Sequence, residues 1–143
     1  MAAKNSGIWN AFLRIYIGIY FLYAARSKLS PFFFSNFHNR LSYFANHDPL
    51  RFYVIFLNHL VIPNAFLFAI LIVMGELFAG IFLTAGFLTG IAGFVGIFLN
   101  LNYLLAMYWM GPAELAINLT FIMCELVIIF TGAGKSLGID ALF

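Results

Sequence analysis

Four runs of about twenty apolar residues divide this chain, at about 7–25, 64–85, 90–110 and 112–131. A helix needs about 20 such residues to cross a bilayer core of ~30 Å. Each run is therefore read as a membrane span. Composition agrees: 64% of the 143 residues are hydrophobic and only 8% are charged, against about 25% charged in a soluble domain. The twenty-six Phe and Tyr side chains (19 and 7) suit lipid-facing and interfacial positions. The expected fold is all-α: an integral membrane four-helix bundle in one domain over 1–143, multi-pass, in contact with membrane lipids. A net charge of +2 gives no footing for nucleic acid.

Local signals support these boundaries. Pro63 precedes the second run and Gly86 follows it; Pro112 opens the fourth, and Gly132 and Gly134 follow it. The links at Gly86–Gly90 and at Gly111 are very short, so spans two to four should be sequential antiparallel neighbours. The first run follows Met-Ala-Ala-Lys-Asn-Ser and lacks a small-residue cleavage site, so it reads as a retained span. Trp9 would mark one interface, and Arg26 and Lys28 the other.

The segment at about 30–62 differs. It holds His38, His47 and His59 and much of the remaining charge. Ser30 and Pro31 read as a cap and a first helical residue. Phe33, Phe37, Leu41 and Phe44 then recur at helical spacing opposite Asn36, Asn39 and Arg40. That pattern predicts an amphipathic interfacial helix joining spans one and two. Asp48 and Pro49 read as a second cap. Residues 50–62 are apolar but too short to span, and either lie in the interface or lead into the second span. The positive-inside rule applied to Arg26, Lys28, Arg40 and Arg51, against Lys4 and Lys135, puts this connection in the cytoplasm and both termini opposite it.

Three ionisable residues lie inside the apolar runs: Arg14, Glu76 and Glu125. A charge at that depth costs about 2.5–3.5 kcal/mol on insertion scales. Counted from the ends of antiparallel runs, all three fall about 9–13 Å from one face at ~1.5 Å per residue. The expectation is a buried charge cluster or ligand site of Arg14, Glu76 and Glu125, with Lys28 at the helix end and Asn100 and Asn102 slightly deeper. Small and polar stripes point the same residues inward: Ala11, Arg14, Gly18, Ala25 and Lys28; Gly75, Glu76, Ala79 and Gly80; Gly93, Gly96, Asn100 and Tyr103; Glu114, Asn118, Phe121 and Glu125. Small residues there permit close helix approach. One reading is that Arg14 pairs with a glutamate to fix register. The other counts one Arg against two carboxylates, so that a proton, a ligand or a partner completes the balance.

Other apparent motifs lack their context. Gly132-Ala-Gly-Lys-Ser136 ends like a phosphate-binding loop, but Ile129 stands where its first glycine belongs and no strand precedes it. Asn118-Leu-Thr120 is a glycosylation sequon inside a span. Cys124 is the sole cysteine, which excludes an intrachain disulfide or a cycling thiol pair. The histidine spacings match no metal signature, so no metal site is expected.

The stretch Leu13-Arg-Ile-Tyr-Ile-Gly18 through Lys28-Leu29 resembles the first helix of the DoxX family. Glu76-Leu-Phe-Ala-Gly80 with Leu83 and Gly86 resembles its second-helix pattern. Gly134-Lys-Ser-Leu-Gly-Ile-Asp140 resembles its ending. Departures are Ala24-Ala25, where a glycine is common, and the long Phe-rich insertion after Lys28. The resemblance implies a four-helix membrane bundle in a bacterial or archaeal inner membrane. It also implies kinship with subunits of thiosulfate:quinone oxidoreductase and of thiol-redox membrane complexes. By motif, Arg14, Lys28 and Glu76 carry over.

Three functions follow as expectations. The first is an accessory or structural subunit of a larger respiratory or photosynthetic electron-transfer complex. The alternatives are a quinone-reactive subunit of a sulfur or thiol:quinone oxidoreductase, and a small proton-coupled transporter. No cofactor is encoded, so quinone, lipid or pigment would be contacted rather than built in. The chain is expected to work with other membrane subunits and to perform no turnover alone.

Overall fold

In the computed structural model, residues 2–143 are described, with side chains from Gly7 onward. Met1 and the side chain of Lys4, which entered the charge balance above, lie outside the described residues. The helices are α1 (Ala2–Lys28), α2 (Pro31–His47), α3 (Arg51–Phe56), α4 (Ala65–Ala85), α5 (Thr89–Met107) and α6 (Pro112–Phe130). Among the described residues, four helical stretches are long and apolar enough to cross a membrane: Gly7–Lys28, Arg51–Ala85, Thr89–Met110 and Pro112–Phe130. The protein is an all-α membrane four-helix bundle with an amphipathic helical connection, as the hydropathy pattern predicts.

The second span is longer than its apolar run suggests. Arg51–Ala85 forms one helical stretch of 35 residues, about 52 Å long at ~1.5 Å per residue. A proline inside a helix clashes with the carbonyl four residues earlier. Here the chain widens to a π-turn over Leu57–Val61 and tightens to a 3-10 turn over Ile62–Asn64, so Pro63 is absorbed without ending the helix. The Asn64 side-chain amide donates to the Leu60 carbonyl at 2.9 Å. Residues 50–62 therefore lead into the second span, and the interfacial portion is α2 alone.

Helix α2 forms as its sequence signals predict. Ser30 caps it, with the Phe33 amide donating to the Ser30 hydroxyl at 3.3 Å. Pro31 occupies the first turn, where no amide donor is needed. Phe33, Phe37 and Leu41 are buried against Tyr53, Leu57 and Val61 and against Ala69 and Val73 of α4. Asp48 makes a tight turn: its carboxylate accepts from the Leu50 amide at 2.8 Å.

The bundle is tightest between α1 and α4, where glycine is required. A Cβ on Gly80 would lie 2.9 Å from the Leu22 backbone nitrogen, and one on Gly18 would lie 2.6 Å from that of Thr84. Ile17, Phe21, Ala79, Leu83, Leu99, Phe121 and Ile128 fill the centre. The polar stripes point inward: Arg14, Glu76, Asn100, Asn118 and Glu125 are all buried.

Candidate functional site

The structure divides the expected charge cluster into three places. Arg14 is wholly buried, yet it meets neither Glu76 nor Glu125. Its guanidinium donates to the carbonyls of Leu83 and Thr84, where α4 ends, and of Ser136 and Leu137 in the C-terminal tail. A cation suits the negative end of a helix dipole. The depth count fails because the starts of apolar runs do not mark axial register. Arg14 sits level with Leu83, seven residues past Glu76, which is about 10 Å along α4.

The same end is closed by the tail. Gly86 ends α4 in the left-handed region (φ +68°), a conformation that glycine adopts without penalty. Asp140 accepts from the Leu88 amide at 2.8 Å and the Thr89 amide at 3.0 Å, capping the start of α5. The Asp140 amide donates back to the Gly86 carbonyl at 2.8 Å. Partial burial works to raise the Asp140 pKa, but the hydrogen bonds from Thr89 and Leu88 and the charge of Arg14 outweigh it, leaving the carboxyl below its ordinary value.

The second place is deep between α5 and α6. Glu125 is 0% exposed. One of its oxygens accepts from the Asn100 side chain at 2.8 Å, and its Oε2 has no partner among the described residues. Asn102 stands apart from this site: its amide turns back onto the Phe98 carbonyl of its own helix at 2.8 Å. Its position is set by residue spacing, since two residues past Asn100 on a helix is nearly the opposite face.

The third place is a cavity. Lys28 ends α1 and reaches back toward the core, where its Nζ donates to Glu76 Oε1 at 2.7 Å. The Tyr103 hydroxyl donates to the same oxygen at 2.7 Å, and the Lys28 ammonium lies 5.6 Å from the centre of the Tyr103 ring. This is the only ion pair among the described residues. Glu76 is 1% exposed. Its second oxygen, Oε2, has no partner among the described residues.

These groups line a cavity of about 240 Å³ that takes wall residues from α1, α2, α4, α5 and α6. Phe21, Glu76, Asn100 and Phe121 are buried in it, while Tyr20, Ile117 and Arg40 are exposed at its rim. The Tyr20 and Phe121 rings, 4.2 Å apart between centroids, link α1 to α6 beside it. Glu114 and Asn118 also line it; the Asn118 amide donates to the Glu114 carbonyl at 2.8 Å.

The sequence identified Lys28, Glu76 and Asn100 but not Tyr103 as a site residue. Its signal was present: Tyr103 follows Asn100 by one helical turn on the inward stripe of α5. Arg40 came from the amphipathic helix and gave no hint that α2 walls a cavity.

Among the described residues no group of three or more His, Cys, Asp and Glu side chains could hold a metal ion. Searches against curated proteins and against solved structures found no match. The DoxD family model, described as "TQO small subunit DoxD", matches residues 9–143. The chain therefore belongs to the DoxD family, over nearly its whole length.

Proposed function

We propose that this chain is a membrane subunit of a quinone-linked redox complex, and that the Lys28–Glu76–Tyr103 cavity receives the quinone headgroup. The observation that carries the reading is the cavity itself. It combines the buried Glu76 carboxylate, an ammonium and a wall of aromatic rings. Its volume is below the ~300–1,000 Å³ of sites that enclose a whole drug-sized ligand. That suits a single ring, with an isoprenoid tail left among the exposed apolar side chains of the membrane surface. The family description, the small subunit of TQO, supports a quinone-linked role with a larger partner.

A bound quinone supplies the two-electron, two-proton couple. The chain's residues do the holding. Lys28 keeps donors for a ring oxygen beyond the one given to Glu76. Glu76 holds the Lys28 ammonium and the Tyr103 hydroxyl at the cavity wall. The Phe21, Phe37 and Phe121 side chains exclude water. No electron donor is encoded: Cys124 is the sole cysteine, so electrons reach the cavity from another chain, with a sulfur compound as the proposed source.

Photoaffinity labelling of the intact membrane complex with an azido-quinone tests this. Label should fall on peptides carrying Tyr103 and Ile117 and should be displaced by excess unlabelled quinone. Label confined to the opposite end of the bundle, or label that excess quinone leaves unchanged, contradicts the assignment. So does purification of the chain from mild detergent with no partner subunit.

A further inference from the structure

We propose that Glu114 passes protons between water and the ring held in the cavity. The proposal rests on the reading of the cavity as a quinone headgroup site and adds a catalytic residue to it.

Reducing a quinone ring takes two electrons and two protons, and each ring oxygen ends with an O–H bond. The bilayer core holds no water to deliver the protons, so groups in the cavity wall must do so. Six wall residues carry a charge or a titratable proton: Tyr20, Lys28, Arg40, Glu76, Tyr103 and Glu114. Arg40 cannot give up a proton. Glu76 is 1% exposed and is tied to Lys28 and Tyr103 at 2.7 Å each, which leaves it no direct exchange with water. The Tyr103 hydroxyl is spent on the same contact. Tyr20 holds its ring against Phe121, and a phenol, which ordinarily titrates near pH 10, parts with its proton reluctantly.

Glu114 differs from all of these. It stands in the first turn of α6, two residues past Pro112, or about 3 Å along the axis at ~1.5 Å per residue. A helical side chain leans toward the N-terminus of its own helix, which carries the carboxyl to the mouth of the cavity. Ile117, Asn118 and Phe121 continue the same wall inward. Glu114 is half-buried. Asn118 binds its backbone carbonyl and leaves the side chain free. The carboxylate accepts no hydrogen bond from the described residues, and both its oxygens stay open to water. Its charge reaches the Tyr20 hydroxyl on the α1 side of the mouth. One carboxyl thus meets both the cavity and water.

The electrons come from a partner chain that oxidises a reduced sulfur compound. At the ring oxygen nearer the mouth, the Glu114 carboxyl O–H breaks and a ring O–H forms. The carboxylate left behind takes a proton from water. At the inner oxygen, a Lys28 N–H breaks and the second ring O–H forms. The Lys28 side chain is 22% exposed, so its amine is refilled from water as well. Arg40, exposed at the same rim, offsets the Glu114 charge between refillings.

The test uses the intact complex in nanodiscs, a short-chain benzoquinone, and whichever of thiosulfate, sulfite and sulfide the wild type oxidises. Glu114→Gln should lower kcat about 100-fold, the low end of what acid–base groups contribute, with little change in KM for the quinone. The wild-type rate should rise toward acid, where the carboxyl refills faster, and the Gln variant should lose that rise. Glu114→Asp keeps a carboxyl and should recover the slope and part of the rate. Glu114→Ala should regain rate when formate is added, since the mouth admits a small acid; a merely structural residue would not be rescued. An unchanged kcat in Glu114→Gln, or a loss confined to KM, overturns the assignment and leaves the quinone site standing. So does a loss found in Tyr20→Phe but not in Glu114→Gln. Turnover with none of the three donors overturns the redox reading beneath it. If the Gln variant does not assemble, the wild type decides. A carbodiimide should couple to Glu114 and stop turnover, and excess quinone should slow both; turnover that survives the coupling overturns the assignment.

Discussion

Replacing Arg14 by Met should release the C-terminal tail without dispersing the bundle. The side chain is 0% exposed, and its guanidinium joins α1 to two other segments. Two of its bonds go to the end of α4 and two to the tail, the latter at 3.3 Å (Ser136) and 3.0 Å (Leu137). Hydrogen bonds from a charged donor contribute about 1.5–3 kcal/mol each. The longer tail bond falls at the weak end of that range or below it, so the tail loses about 3 kcal/mol. At 1.4 kcal/mol per decade this raises the undocked fraction about 100-fold. Asp140 still holds the tail through the Leu88 and Thr89 amides, so undocking is local and α1 keeps its packing on α4. The assay uses a Cys124→Ser background, which removes the sole cysteine, with Ala133→Cys as the reporter. Ala133 is 1% exposed, so a maleimide reaches it only when the tail lifts. A reporter at the exposed position 135 gives the reference rate. Arg14→Met should speed labelling at 133 by about two orders of magnitude and leave 135 unchanged. Arg14→Lys keeps the charge on one nitrogen and cannot reach all four carbonyls, so it should fall between. Equal rates at 133 in wild type and Arg14→Met would refute the clasp.

Gly80→Val should drive α1 from α4, since even its Cβ would meet Leu22 backbone and side chain at 2.8–2.9 Å. Overpacking of this kind destabilises by about 1–3 kcal/mol, read as a lower unfolding midpoint in detergent; an unchanged midpoint would show that the close approach is not required. Asp140→Asn should destabilise the protein at pH 7 and cease to matter in acid. The Asp140 pKa is lower folded than unfolded, so its contribution is present above about pH 4, the unfolded value, and is lost as pH falls through the folded value. Unfolding midpoints from pH 3 to 7 check this, and a wild-type-to-variant gap that stays constant over that range argues against it.

The spans and inward stripes were legible because each rests on a one-dimensional rule. An apolar run of bilayer length needs no partner to be recognised. A stripe of Gly, Ala, Asn and Glu has only one reasonable side to face. Ser30–Pro31 was legible for the same reason: a cap is settled within three residues, and Phe33 answers it. Axial register was not legible. It depends on how far α1 slides along α4, and the close passages of Gly18 at Thr84 and Leu22 at Gly80 settle that. Once they do, Arg14 lies beside backbone carbonyls, acceptors that no sequence motif names. The same slide brings Lys28, a flank residue, within 2.7 Å of Glu76. The continuation of the second span through Pro63 was hidden too, because a proline ordinarily marks a helix start and here sits after a π-turn.

The two ends of the bundle differ in what their polar groups lack, and this gives a last prediction. At the tail end, Arg14 and Asp140 bind backbone groups that would otherwise be unpaired, so removing either leaves gaps. At the cavity end, Lys28 and Glu76 mainly bind each other and Tyr103. A buried ion pair is weak support for a fold: replacing both partners with apolar groups of similar size is often neutral or stabilising by about 1–4 kcal/mol, whereas removing one partner costs about 3–5 kcal/mol. The double variant Lys28→Met/Glu76→Leu should therefore assemble with an unfolding midpoint at or above the wild type. Glu76→Leu alone, which strands the 22%-exposed Lys28 beside the cavity, should fall below it by less than the fully buried figure, because Lys28 can turn outward. The same double variant should lose competable azido-quinone labelling. A double variant as unstable as the sum of its single variants would mean that the pair holds the bundle together rather than serving the cavity. Retained labelling would mean that the ring is held by other walls.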